Sequence, residues 1–117
     1  MGVRKRLRSL TKSDMLSSIR DVLEKGYQLF KRKLEDYGVD TYKTVGAIGI
    51  YLRMREKFNR IENLLKSEGP PNYESIKDNI NDIFVLGAVL MAMLEKELAD
   101  IDELKRQYKV IMGEDEE

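Results

Sequence analysis

Apolar residues recur along this chain at helical rather than strand spacing, and three stretches carry the pattern. In TKSDMLSSIRDVLEKGYQLFKRKLEDYG, residues Met15, Ile19, Val22, Leu23, Leu29, Phe30 and Leu34 fall on one stripe of a 3.6-residue period. Thr11 or Ser13 can cap the start, because a hydroxyl there accepts a hydrogen bond from a first-turn amide that has no partner in the helix. Gly38 stands where a helix commonly ends on a left-handed residue. Gly26 lies inside the stretch at a cost of about 1 kcal/mol relative to Ala, which marks either a close helix contact or a bend.

The connector VDTYKTVGAIG follows, with glycines at 46 and 49 and with Asp40 and Thr41 as turn or cap residues. A second helix is predicted through IYLRMREKFNRIENLLKSE. Stepping 100° per residue puts Ile50, Tyr51, Met54, Phe58, Ile61 and Leu65 on one broad face. Lys57 projects into that arc, while Arg53 and Arg60 lie along its edge. GPPN stops the helix, since a proline cannot continue it and each proline pushes its predecessor out of the α region.

Asn72 then caps a third helix, whose core stripe reads Ile76, Ile80, Ile83, Phe84, Gly87, Leu90, Met91 and Leu94. Glu74, Asp78 and Asp82 form a second line at spacing four, and from Ile83 to Leu94 every face is apolar. A helix that is apolar all round has to be covered all round. The predicted fold is therefore all-α, a three to four helix bundle completed by dimerisation. The stretch EKELADIDELKRQYKVIM returns to an amphipathic pattern and either extends the third helix or folds back as a fourth.

Composition narrows the chemistry. With 117 residues the chain is long enough for one core and too short for two. It holds neither Cys nor His, so a disulfide, a thiolate or imidazole metal site and a His-assisted nucleophile are all excluded within it. Any metal would be a hard cation held by oxygens. The richness in Lys, Arg and Glu without Cys fits a thermophile.

The formal net charge is zero, yet it is unevenly spread: residues 1–12 form a basic arm, 13–112 a single helical domain and 113–117 an acidic tail. The arm is either a solvated terminus or, through residues 4–12, a contact to nucleic-acid phosphates. It lacks the apolar segment of a signal peptide, and no apolar run reaches the ~18 to 20 residues that span a bilayer, so a cytoplasmic chain away from membranes is expected.

The acids and bases admit two arrangements. Asp78 and Asp82 can hold magnesium, with Glu74 activating water and Lys57, Arg60 and Arg53 taking phosphate, which suits binding or hydrolysis of a nucleoside phosphate. Alternatively, Lys57 and Arg60 pair with Asp78 and Asp82 across adjacent helices as structural salt bridges. Asp36 and Tyr37 in DYG either close a helix around an anchoring ring or contact a base or sugar.

In order along the chain, Lys33 ahead of Asp36, Tyr37 and Gly38, then Lys57 with Arg60, then Glu74 with Ser75, then Asp78 with Asp82, the motifs resemble those of the nucleotide modification associated domain, type one. The likeness covers roughly residues 27 to 94 and implies a role with modified nucleotides or bases. A more distant likeness is to the all-α nucleoside triphosphate pyrophosphatases of the MazG type, dimeric bundles that bind magnesium through acids on two helices. This chain departs from their acid pairs: the second helix has Glu56 and Glu62 at spacing six, and the third has Asn79 with Asp82. Two functions are expected: a nucleotide-associated domain using magnesium, or a non-enzymatic helical interaction or nucleic-acid-binding module of viral or archaeal type.

Overall fold

The protein is described here by a computed structural model covering residues 2–113, apart from the side chain of Lys5. The described residues form five helices and no strand: α1 (Val3–Arg8), α2 (Lys12–Tyr37), α3 (Asp40–Lys66), α4 (Tyr73–Glu95) and α5 (Ile101–Met112). The expected all-α bundle is what the chain adopts. Residues 114–117 of the acidic tail lie outside the described residues. No described helix is long and apolar enough to cross a membrane.

The described residues divide after Asp36 into two compact units. In the first, part of the basic arm coils into the short helix α1, closed by a hydrogen bond from the Ser9 hydroxyl to the Arg6 carbonyl. Of the two candidate caps for α2, Thr11 serves: its Oγ1 accepts from the Asp14 amide at 3.0 Å. α2 then runs 26 residues, about 39 Å at 1.5 Å per residue, and stops at Gly38, whose φ of 76° is left-handed.

The stripe read along α2 is largely at the surface. Met15, Leu16, Ile19, Val22, Leu23, Tyr27 and Leu29 are exposed, from 38% at Leu29 to 58% at Leu16 and Tyr27. Phe30 and Leu34 are half-buried and Gly26 is buried.

The second unit is built on α3 and α4, which pack together as a helical hairpin. Residues 39–49, read from the sequence as a connector, are helical from Asp40 onward except for one break. At Gly46 the backbone takes φ 66°, ψ 179°, a region that side chains with a Cβ avoid. The break lets the short segment before it leave the axis of the longer one after it. At Gly49 an added Cβ would collide with the Val45 side chain, so this glycine is set by space rather than by backbone angle.

Residues 67–72 turn the chain, and Asn72 caps α4 as expected, its Oδ1 accepting from the Ser75 amide at 3.0 Å. The hairpin core is narrow: Ile50 is fully buried and Leu86 nearly so. Its centre on α4 is not the stripe read from the sequence, because Ile80 and Met91 are exposed while Asn79 and Leu86 point inward. On α3, Phe58 and Leu65 are likewise exposed. Gly87 faces Met54, where even an added Cβ would stand 3.6 Å from the Met54 methyl.

The residues after Leu94 turn away and form a separate helix. Glu97 takes a left-handed φ of 58° in this turn, and the Asp100 side chain caps α5 by accepting from the Asp102 amide. α5 docks on α3 through an edge-to-face pair, Tyr51 with Tyr108, whose ring centres are 5.8 Å apart at 69°. Arg55 also donates to the Met112 sulfur at 2.9 Å. Gly113, at φ 70°, closes α5 in the left-handed conformation.

Candidate functional site

Lys57 stands midway along α3 and Asp82 midway along α4, so the hairpin brings together two groups that are 25 positions apart in sequence. Lys57 Nζ lies 3.0 Å from Asp82 Oδ2, with side chains 22% and 27% exposed. This is the cross-helix pair that a structural reading of the charges predicts. Partial burial makes it stronger than a surface ion pair, which contributes about 0 to 1 kcal/mol, and cheaper to form than a fully buried one.

The floor beside the pair is polar and satisfied. Asn79, one turn before Asp82, is 7% exposed, and its Nδ2 donates to the Ser75 carbonyl at 2.8 Å. Ser75 donates its own amide to Asn72, so Asn72, Ser75 and Asn79 form a ladder up the first two turns of α4. No buried side-chain nitrogen or oxygen among the described residues lacks a partner. Ser75, which the sequence reading took as one half of a motif with Glu74, thus acts here through its backbone, as part of a helix cap.

The remaining site residues are spread along their helices. Arg60 bonds Glu56, one turn back on α3, at 2.6 Å rather than an acid on α4. Arg53 is half-buried on the same helix. Glu74 lies in the first turn of α4, where a carboxylate is favoured by the helix dipole, and sits 3.8 Å from Lys77. Asp78 is exposed. Asp36 and Tyr37 close α2, both exposed, with Tyr37 at 77%.

Among the described residues no three carboxylates converge into a group that would hold a metal ion. Spacing four on one helix explains this, since successive members sit a full turn, about 5.4 Å, apart along the axis. A second helix has to contribute an acid at the same height before they share one cation. The helix facing Asp82 contributes Lys57 there instead.

The apolar face of α2 is the second feature with functional potential. Leu16, Ile19, Leu23 and Tyr27, with Arg20 and Glu24 on one margin, line a shallow open trough along it. A second trough, lined by Lys12, Ser13, Leu16, Ser17 and Arg20, lies nearer the start of the helix. On α1, Arg4, Arg6 and Arg8 are exposed.

Comparison with family models finds no match to this chain, and comparison with curated proteins and with solved structures finds none either.

Proposed function

We propose that this chain is a non-enzymatic helical interaction module, in which α2 presents an apolar face to a helix of a partner. The observation that carries the proposal is the stripe from Met15 to Leu29, apolar at helical spacing and exposed along its length. Contiguous apolar surface of this kind on a soluble domain marks an interaction site. Covering one half-exposed Leu or Ile gains on the order of 1 kcal/mol, so a face of this length supports specific docking. An amphipathic helix laid against another is a recurrent mode of recognition, read as anchors at the same helical spacing.

A second proposal, nucleotide binding, is favoured by the Lys57 and Asp82 pair alone. In it, Lys57, Arg60 and Arg53 take the phosphates of a nucleoside phosphate, Asp78 and Asp82 carry magnesium, Glu74 activates water, and Asp36 and Tyr37 contact the nucleotide. The interaction reading is preferred because Lys57 already neutralises Asp82 and Glu56 already engages Arg60.

A thermal-shift screen of nucleoside mono-, di- and triphosphates, with and without magnesium, separates the two, since a ligand bound only by the folded chain raises its melting temperature. The expected result is no shift, with Asp82→Asn lowering the melting temperature equally in every condition. A magnesium-dependent shift that disappears in Asp82→Asn would replace the interaction reading with the nucleotide one.

A further inference from the structure

We propose that the basic arm and the first turns of α2 bind the surface of an anionic phospholipid bilayer, with α1 lying among the headgroups. The inference goes beyond the docking face above and draws on three features of residues 3–20.

The first is the way α1 divides its sides. Val3 and Leu7 stand one turn apart on one side, and Leu10 follows, its amide donating to the Leu7 carbonyl at 3.2 Å. All three are open to solvent, Val3 and Leu7 at 64% and 62%. At 100° per residue Arg6 and Arg4 flank the side that carries Val3 and Leu7, and Arg8 lies further round. Cations bordering an apolar strip suit an interfacial helix, because the strip enters the acyl boundary while the long basic side chains reach back to the headgroups.

The second is the balance of charge. Arg4, Lys5, Arg6, Arg8 and Lys12 all precede the first acid of the sequence, Asp14. Among the described residues, no ion pair occupies Arg4, Arg6, Arg8, Lys12 or Arg20. Cations so close together within a Debye length are drawn jointly to an anionic leaflet.

The third is the trough at the start of α2, lined by Lys12, Ser13, Leu16, Ser17 and Arg20. It offers two cations and two hydroxyls and no carboxylate, a donor set suited to the oxygens of a phosphodiester headgroup. Asp14, about 200° round the helix from Leu16, lies on the other side.

Nucleic acid carries the same phosphates, but its backbone makes no use of exposed Val3, Leu7 and Leu10. A bilayer surface engages the cations and the apolar side chains together. No described helix could cross that bilayer, and lying on it requires only this short amphipathic segment.

Flotation of the full chain with vesicles of phosphatidylcholine and phosphatidylglycerol, mixed two to one, measures the binding. The chain has no Trp, so Leu7→Trp supplies a single fluorescent reporter on the apolar side of α1. Circular dichroism checks that each variant keeps its helices. Binding to the mixed vesicles and not to pure phosphatidylcholine is expected, with blue-shifted emission from the reporter. Arg4→Ala with Arg8→Ala is expected to weaken binding roughly 30-fold at low salt, and Lys12→Ala with Arg20→Ala by a similar factor.

Absence of binding to the mixed vesicles at low salt overturns the proposal, as does equal binding to the neutral ones. Flotation with no blue shift, or undiminished by Val3→Ser with Leu7→Ser, overturns the placement of α1 among the headgroups. Release of the chain from the vesicles by duplex DNA at equal phosphate concentration assigns the arm to nucleic acid and overturns the lipid reading.

Discussion

At the scale of single residues, the positions that decide this fold do so through the backbone. Gly46 tolerates a conformation that costs other residues about 1 to 3 kcal/mol, and no other atom stands near its missing Cβ. Gly46→Ala is therefore expected to lower unfolding free energy by about that amount in urea titration, by conformational strain alone. Asn72→Ala removes the α4 cap and is expected to cost about 1 kcal/mol. Asp82→Asn leaves Lys57 half-buried without its carboxylate partner and is expected to cost about 1 to 3 kcal/mol, measured the same way. The caps at Thr11, Gly38 and Asn72 were legible in the sequence because a cap is local chemistry, readable from a hydroxyl, an amide or a glycine and its next three neighbours. Asn79 was not. Its burial depends on the Ser75 carbonyl that receives its proton, and only the assembled helix shows that carbonyl to be within reach.

At the scale of elements, periodicity located α2 and α4 well and α3 less so. The two glycines between Val39 and Ile50 read as a connector, yet only Gly46 breaks the helix; Gly49 is accommodated because Val45 fills the space beside it. On α4 the apolar run from Ile83 has no polar side to orient it, so the most hydrophobic arc was taken for the core while the buried line runs through Asn79 and Leu86. Amphipathicity states that a face needs covering and is silent about what covers it. Hydrogen exchange reads the packing of each helix separately. Tyr108→Ala is expected to reduce protection in α5 selectively, since the ring pair with Tyr51 is a principal contact of that helix.

At the scale of the whole molecule, the predicted all-α architecture was legible from composition and period together, whereas the candidate site was legible only as a set of charges. The sequence placed Lys57 and Asp82 on facing helices, and spacing alone did not say whether they would hold a ligand or each other. The hairpin joins them at 3.0 Å. The narrowness of the core has a consequence for the way the chain reaches its final state. α3 and α4 are joined by a short turn, so the hairpin closes with little loop-closure entropy, on the microsecond to millisecond scale typical of local helical topologies. α5, by contrast, reaches back to α3 across the whole of α4 and docks at a larger entropic cost.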